Sequence, residues 1–423
     1  MELARTYLIT GFPWNLLGYA VAGAGIRQIA SVTGVYGLSF LAVTTSALLA
    51  WLSISPRRAR AGLALAGWIG LLLLAQWKLA PPAPTVGKEL AILIQPNVPL
   101  DETELNEWVP WRNPAQLREL VQFSVDAVER FSPHVGPGFS PASDDFGLKP
   151  GPTVPSTSRS VSPDSSIDNR QSTIGNPRHP PLLIWAENPA PFYFTRDPVF
   201  RNAMENMARQ THAIVIANTI VPVDSSGDTI TNTAVTLDPD GKQVSRYDKI
   251  HLVPFGEYVP WWAFPGLVHK VTSDVGNFVS GTSYPVAQLP GGNIGVFICY
   301  EAIIPQLARK LVMNGAGVLV NISNDAWYGN SAAAYQHLEI ARLRAIENHR
   351  YLLRATDNGV TAFIDPYGRV REQLPRNQRL ALPAHFDYET QQTFYTKHGD
   401  VFAWLCAAVG VFALLGGSIR AKS

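Results

Sequence analysis

The sequence predicts an α/β domain carried between membrane-spanning helices, on three observations. Only 16% of the 423 residues are charged, against about 25% in an ordinary soluble protein. Three apolar runs, 35–54, 61–80 and 401–419, each approach the roughly 20 residues that a bilayer core requires. Between the second and third runs, short β-rich apolar stretches alternate with stretches of helical periodicity, the pattern of sheets covered by helices.

The membrane region, residues 1–80, comes first in the chain. Arg57, Arg58 and Arg60 lie between the first two apolar runs, and Arg420 and Lys422 follow the third. Basic residues collect on the cytoplasmic side of short membrane loops, so both clusters are expected inside. The second helix then runs outward, residues 81–398 are extracytoplasmic, and the third helix returns inward to leave 399–423 as the last span and a cytoplasmic tail. Charge and parity agree on this topology. Residues 1–34 read as apolar but partial or re-entrant, because Thr10-Gly-Phe-Pro-Trp14 interrupts the run 7–25. By parity the first full span starts outside, and residues 1–9 are too short for the crossing that would place it there. Further membrane helices are therefore expected ahead of this sequence. No cleavable signal-peptide pattern precedes the apolar segments.

After Pro81-Pro-Ala-Pro84 the α/β domain begins. Residues 90–94 read as a strand ending in Gln95-Pro-Asn97. A helix over 114–131 places Leu117, Leu120, Val121, Val125 and Val128 on one face. Residues 132–180 are dense in Pro, Ser, Gly and Asp and read as a disordered insertion. The domain resumes with a strand at 181–187, a helix bearing Met204, Met207 and Ala208, and a strand at 213–217. A hairpin over 232–247 turns on Asp240-Gly241. Strands follow at 294–298 and 317–322, then a helix over 333–348 and strands at 352–355 and 360–364.

The net charge of +1 excludes a general binder of nucleic acid or other polyanions. The two cysteines are Cys299 and Cys406, and Cys406 lies in the last apolar run, which argues against a disulfide. The nine His show neither an H-E-x-x-H pattern nor zinc spacing with Cys, so no metal or other cofactor is expected. The run 294–298 stops at Cys299 and turns polar at once. A thiol at such a strand-to-helix elbow is placed as a nucleophile is, although a free Cys is as much at home as a small buried hydrophobe. Glu187 also stands just past an apolar run, and Lys249 follows the second strand of the hairpin directly. Separately, each has an ordinary explanation: a buried carboxylate paired with an Arg, or a solvated lysine. Together they supply a base for the thiol proton, a cation for an oxyanion, and a sulfur to carry an acyl group.

At these residues the chain resembles the nitrilase superfamily, and within it the apolipoprotein N-acyltransferases. Besides Glu187, Lys249 and Cys299, the stretches that carry the resemblance are Thr10-Gly-Phe-Pro-Trp14, Gln95-Pro-Asn97, Trp185-Ala-Glu-Asn188, Tyr247-Asp-Lys-Ile-His-Leu-Val-Pro-Phe-Gly-Glu-Tyr258, Cys299-Tyr-Glu301 and Asn321-Ile-Ser-Asn-Asp-Ala-Trp-Tyr-Gly329. It covers nearly the whole chain outside 132–180. The resemblance implies a nitrilase-like α-β-β-α sandwich inserted between transmembrane helices, in a bacterial inner membrane with the catalytic domain on the periplasmic side. It implies an acyl transfer in two steps. Cys299 takes a fatty acyl chain from a phospholipid, usually phosphatidylethanolamine, as a thioester. The α-amino group of the diacylglyceryl-cysteine of an apolipoprotein then receives the chain. Glu187 is implied as general base and acid, and Lys249 as the cation for the tetrahedral intermediates, helped by backbone N–H groups near Tyr300. Glu257 matches an additional functional carboxylate, or else holds Lys249 in place. Tyr300 and Glu301 match functional positions beside the nucleophile, and Trp327 an aromatic residue near the entrance, where plain packing is an equal reading. The short membrane region and the insertion 132–180 both depart from the family pattern. Two rival readings remain: a membrane-anchored amidase or nitrile hydrolase using water as acceptor, and an inactive lipid-binding homologue.

Overall fold

The computed structural model describes residues 1–8, 11–98, 114–132, 178–187, 193–224, 229–260 and 277–420. Its strands are β1 (Glu89–Gln95), β2 (Leu182–Trp185), β3 (Ile214–Pro222), β4 (Thr229–Leu237), β5 (Gln243–Asp248), β6 (Asn277–Phe278), β7 (Ile294–Ile298), β8 (Val318–Ser323), β9 (Leu352–Thr356), β10 (Ala362–Ile364), β11 (Val370–Gln373) and β12 (Leu380–Phe386). They form two sheets. One runs β12-β1-β2-β3-β4-β5 with β6 beside β4, and the other runs β11-β10-β9-β8-β7.

The side chains of each strand alternate between two cores, as a pleated backbone requires. On β1, Leu90, Ile92 and Ile94 face the helices Pro114–Phe131 and Pro198–Thr211, whereas Ala91 and Leu93 face the second sheet. On β7 and β8, Ile294, Val296, Ile298, Val318, Val320 and Ile322 meet the first sheet. Phe297 and Leu319 turn instead to the helices Pro305–Met313 and Ala333–Asn348. Strands buried on both faces explain why these runs are continuously apolar. The result is the expected sandwich, in the layer order helix, sheet, sheet, helix. The parallel neighbours β1, β2 and β3, and β7, β8 and β9, put their C-terminal ends together.

Helices Val35–Ile54 and Arg58–Lys78 are long and apolar enough to cross a membrane. The second starts three residues before its apolar run, directly after Ser55-Pro-Arg57, and stops before the Pro81-Pro-Ala-Pro84 stretch. Trp68 Nε1 donates to Thr45 Oγ1 across the pair at 2.9 Å. Most of their large side chains, such as Val43, Leu49, Leu71 and Leu73, are uncovered by protein, so these helices need an apolar surround. A third helix, Val401–Arg420, is exposed at Trp404, Leu405, Val409 and Phe412.

Residues 11–34 form short helical turns docked on the α/β sandwich. Leu16, Ala30, Val35 and Leu38 pack with Leu343 and Ile346 of the Ala333–Asn348 helix. Glu347 Oε1 accepts from the N–H of Val35 at 3.0 Å, satisfying one of the free donors at the start of the Val35–Ile54 helix. Gly25 lets the chain touch that second helix: a β-carbon there would lie 2.1 Å from the Gln76 carbonyl oxygen. The stretch expected to be a disordered insertion lies, from 133 to 177, outside the described residues. At its far end His179 Nδ1 sits 3.1 Å from Glu89 Oε1.

Candidate active site

Cys299 follows β7 directly, and the chain turns there with φ of 51°. That left-handed conformation costs a non-glycine residue roughly 1–2 kcal/mol. The short 3-10 turn Cys299–Ile303 begins at this same residue. Glu187 stands two residues past β2, Lys249 one past β5, and Asn324 one past β8.

These strand ends converge. Asn232, on β4, donates from Nδ2 to Glu187 Oε1 at 2.8 Å and to Glu257 Oε1 at 3.2 Å. Lys249 Nζ lies 2.8 Å from Glu257 Oε1 and 3.5 Å from Glu187 Oε1. The backbone of Lys249 is pinned at both ends: its N–H donates to Asn232 O, and its carbonyl accepts from Gly281 N–H, each at 2.8 Å. Asn324 touches two of the other three, Glu187 and Cys299. Its N–H donates to Glu187 Oε2 at 3.0 Å, and its carbonyl faces the Cys299 thiol at 4.0 Å. Glu187, Lys249 and Cys299 are all buried.

Burial pulls the Lys249 ammonium toward losing its proton, but the Glu257 and Glu187 carboxylates outweigh it and hold the pKa well above the lysine range. Burial also pushes the Cys299 thiol far up, and the Glu187 charge adds to that while Lys249 offsets only part. Both effects favour the neutral thiol over the thiolate.

The site opens on a cavity of about 530 Å³. Glu187, Asn232, Lys249, Glu257, Cys299 and Asn324 line its polar end, and Phe12, Trp14, Phe255, Phe278, Tyr300 and Trp327 supply aromatic walls. Trp327, at 43% exposure, stands at the rim. Tyr300 joins the nucleophile's turn to the N-terminal segment, stacking on Phe12 and donating to the Gly11 carbonyl at 3.3 Å. Glu301 does not line the cavity. Its Oε1 accepts from Ile250 N–H and Tyr247 Oη–H at 2.8 Å and from His251 N–H at 3.0 Å, and its Oε2 accepts from Ile298 N–H at 2.8 Å. It thus staples the Lys249 loop to the strand that presents Cys299. Burial raises its carboxyl to about 7 in spite of these donors.

Asn232 and Asn324 escaped the sequence reading as individual site residues. Asn232 sits inside a strand, and only the Asn321–Gly329 motif hinted at Asn324. Phe12 and Trp14 were visible as a motif, with nothing to place them more than 280 residues along the chain against Tyr300 and Gln336. Among the described residues, no three His, Cys, Asp or Glu side chains group as metal ligands.

Glu187, Lys249 and Cys299 at adjoining strand ends of a four-layer sandwich define a protein of the nitrilase class, and the carbon-nitrogen hydrolase family profile matches residues 181–394. The apolipoprotein N-acyltransferase N-terminal domain profile matches residues 1–48. Over 429 residues the chain is 32% identical to the apolipoprotein N-acyltransferase of Geobacter metallireducens, covering 100% of this chain and 73% of that one. It is 30% identical over 419 residues to that of Allorhizobium ampelinum, covering 96% and 69%. The chain belongs to the apolipoprotein N-acyltransferase family. Among solved structures, an amidase from Nesterenkonia sp. is similar at 14% identity with a TM-score of 0.44, over 73% of this chain and 93% of that one.

Proposed function

We propose that this chain moves a fatty acyl group from a phospholipid, through a thioester on Cys299, to the α-amino group of a diacylglyceryl-cysteine on an apolipoprotein. In the first half, Glu187 takes the thiol proton as sulfur attacks the ester carbonyl. Lys249 Nζ, held by Glu257, and the N–H groups at the start of the 299–303 turn receive the oxyanion. Collapse breaks the ester C–O bond, and Glu187 returns the proton to the leaving glycerol oxygen, releasing lysophospholipid. In the second half, the acceptor amine attacks the thioester and Glu187 takes its proton. The C–S bond breaks and the thiol is restored.

One observation carries the choice of a lipid donor. The polar end of the cavity is walled by aromatic side chains, and two of them, Phe12 and Trp14, come from the segment that leads into the apolar helices. Phosphatidylethanolamine fits as donor, with the 81–398 domain on the periplasmic face of the inner membrane. A small polar amide would need neither feature.

The test is incubation with phospholipid alone, followed by mass spectrometry of the Cys299 peptide. A fatty-acyl adduct removable by hydroxylamine is expected. Cys299→Ala should carry none, and Glu187→Gln should form it about 10²–10⁴-fold more slowly because the thiol has lost its base. Adding a diacylated lipopeptide with a free amino terminus should discharge the adduct into an N-acyl amide. Release of free fatty acid at one rate, with or without the peptide, would instead make the chain a hydrolase.

A further inference from the structure

Behind the cavity wall, His337 holds the carbonyl of the nucleophile. Its Nε2 lies 3.1 Å from Cys299 O, and because a carbonyl only accepts, that nitrogen carries the hydrogen. The other nitrogen, Nδ1, lies 3.0 Å from Arg354 Nη2 and 3.1 Å from Asp325 Oδ1. Arg354 Nη2 also donates to Asp325 Oδ1 and Oδ2 at 3.0 and 2.8 Å, and Ser323 Oγ–H donates to Asp325 Oδ1 at 2.8 Å. All four side chains are fully buried. Trp14 lies over the imidazole at 5.4 Å between centroids, and Tyr328 closes it edge-on at 5.8 Å. The ring cannot turn over without breaking these contacts. Burial and the Arg354 charge, only partly opposed by Asp325, hold the imidazole below the ordinary histidine range, in accord with a neutral ring protonated at Nε2.

None of these four residues belongs to the acid–base or oxyanion groups already described, yet the network ends on the nucleophile itself. In a planar trans peptide the C=O and the following N–H point to opposite sides. Anchoring Cys299 O therefore turns the Tyr300 N–H away from His337 and holds a residue whose left-handed φ of 51° needs support. We infer that His337 is a positioning residue for the nucleophile: its Nε2–H fixes the Cys299–Tyr300 peptide plane, and with it the direction of Sγ and of the Tyr300 N–H that receives the oxyanion. The inference rests on the acyl-enzyme reading above. It also gives the Trp14 segment a second task, since that indole clamps the ring that holds the nucleophile.

The decisive comparison is His337→Met against His337→Gln. Both remove the imidazole and its Nδ1 and leave the Arg354–Asp325 pair intact, but only Gln can present an N–H toward Cys299 O. The readouts are the rate of hydroxylamine-labile adduct formation on Cys299 against phospholipid concentration, and a thermal melt of each protein in detergent. His337→Met is expected to slow acylation at saturating phospholipid about 10²-fold, the usual cost of misdirecting one oxyanion donor, with the half-saturating concentration within about twofold of wild type. His337→Gln is expected to recover to within about tenfold of wild type. Equal rates in the two variants, or loss of a cooperative melt in either, assigns the contact to stability alone and overturns the inference. A wild-type chain that forms no adduct overturns the acyl-enzyme reading, and this inference with it.

Discussion

Removing the Lys249 ammonium should make the stability of this domain depend on pH in a way the wild type does not. Glu187 Oε1 and Glu257 Oε1 are both held by Asn232 Nδ2, at 2.8 and 3.2 Å, so they stand at most about 6 Å apart. Lys249 Nζ lies between them and is 1% exposed. Lys249→Met leaves two carboxylates facing each other. At an effective dielectric near 20 their repulsion at that separation is about 3 kcal/mol. Leaving a buried charge unpaired costs about 3–5 kcal/mol in general, which agrees. At about 2–4 °C per kcal/mol for a domain of this order of size, the melting temperature at pH 8 should fall by roughly 5–15 °C. Acidification lets one carboxylate take a proton in the folded variant, so its stability decreases as pH rises and its deficit should be smaller at pH 5 than at pH 8. The wild-type lysine adds no slope of its own in that window. Its folded pKa is raised, so its contribution is present below the unfolded value and is lost only as pH rises through the folded one, far above 8. Differential scanning calorimetry in detergent at the two pH values measures the effect, and Lys249→Met/Glu257→Gln should recover more than half of the pH 8 loss. Equal deficits at both pH values, or a double variant no more stable than the single, would refute this electrostatic account.

Four further outcomes are expected. Glu187→Gln should lower the apparent pKa of Cys299, read from the pH dependence of its iodoacetamide labelling by peptide mass spectrometry, because the Glu187 charge raises it; Lys249→Met should raise it further. Glu301→Leu strands three backbone N–H groups and the Tyr247 hydroxyl, each worth about 1–3 kcal/mol when buried, so the variant should show no cooperative melt. Trp327→Ala should raise the KM for phospholipid about tenfold, corresponding to about 1.4 kcal/mol, with kcat and the melting temperature unchanged, because this side chain only rims the cavity. For topology, a membrane-impermeant maleimide should label Asp240→Cys in cells with a permeabilised outer membrane, and Arg58→Cys only after the inner membrane is opened; the reverse pattern would invert the proposed orientation.

What the sequence determined by itself is whatever depends on near neighbours. Helix Pro114–Phe131 was legible from apolar spacing that repeats within a few residues, and helix Val35–Ile54 and strand Ile294–Ile298 from the length and continuity of their apolar runs. Glu187 and Cys299 were legible as candidates because each follows an apolar run, and Lys249 because it follows the second strand of the hairpin within the Tyr247–Tyr258 motif. Strand β12 was not, since Pro383 argues against a strand; it is tolerated because β12 lies at the edge of its sheet. Strand β6, at two residues, carries no period at all. Only the tertiary structure decided which residues share the site. Asn232 sits inside a strand, His337 lies on a helix and reads as an ordinary polar position, and Glu301 looks no different in sequence from a residue that binds substrate. Their roles come from contacts between residues far apart in the chain, such as Asn324 with Glu187, His337 with Cys299 and Gly11 with Tyr300. Local periodicity can say that a strand ends at a given residue. It cannot say which other strand ends lie beside it, because that depends on how the sheets order and stack their strands.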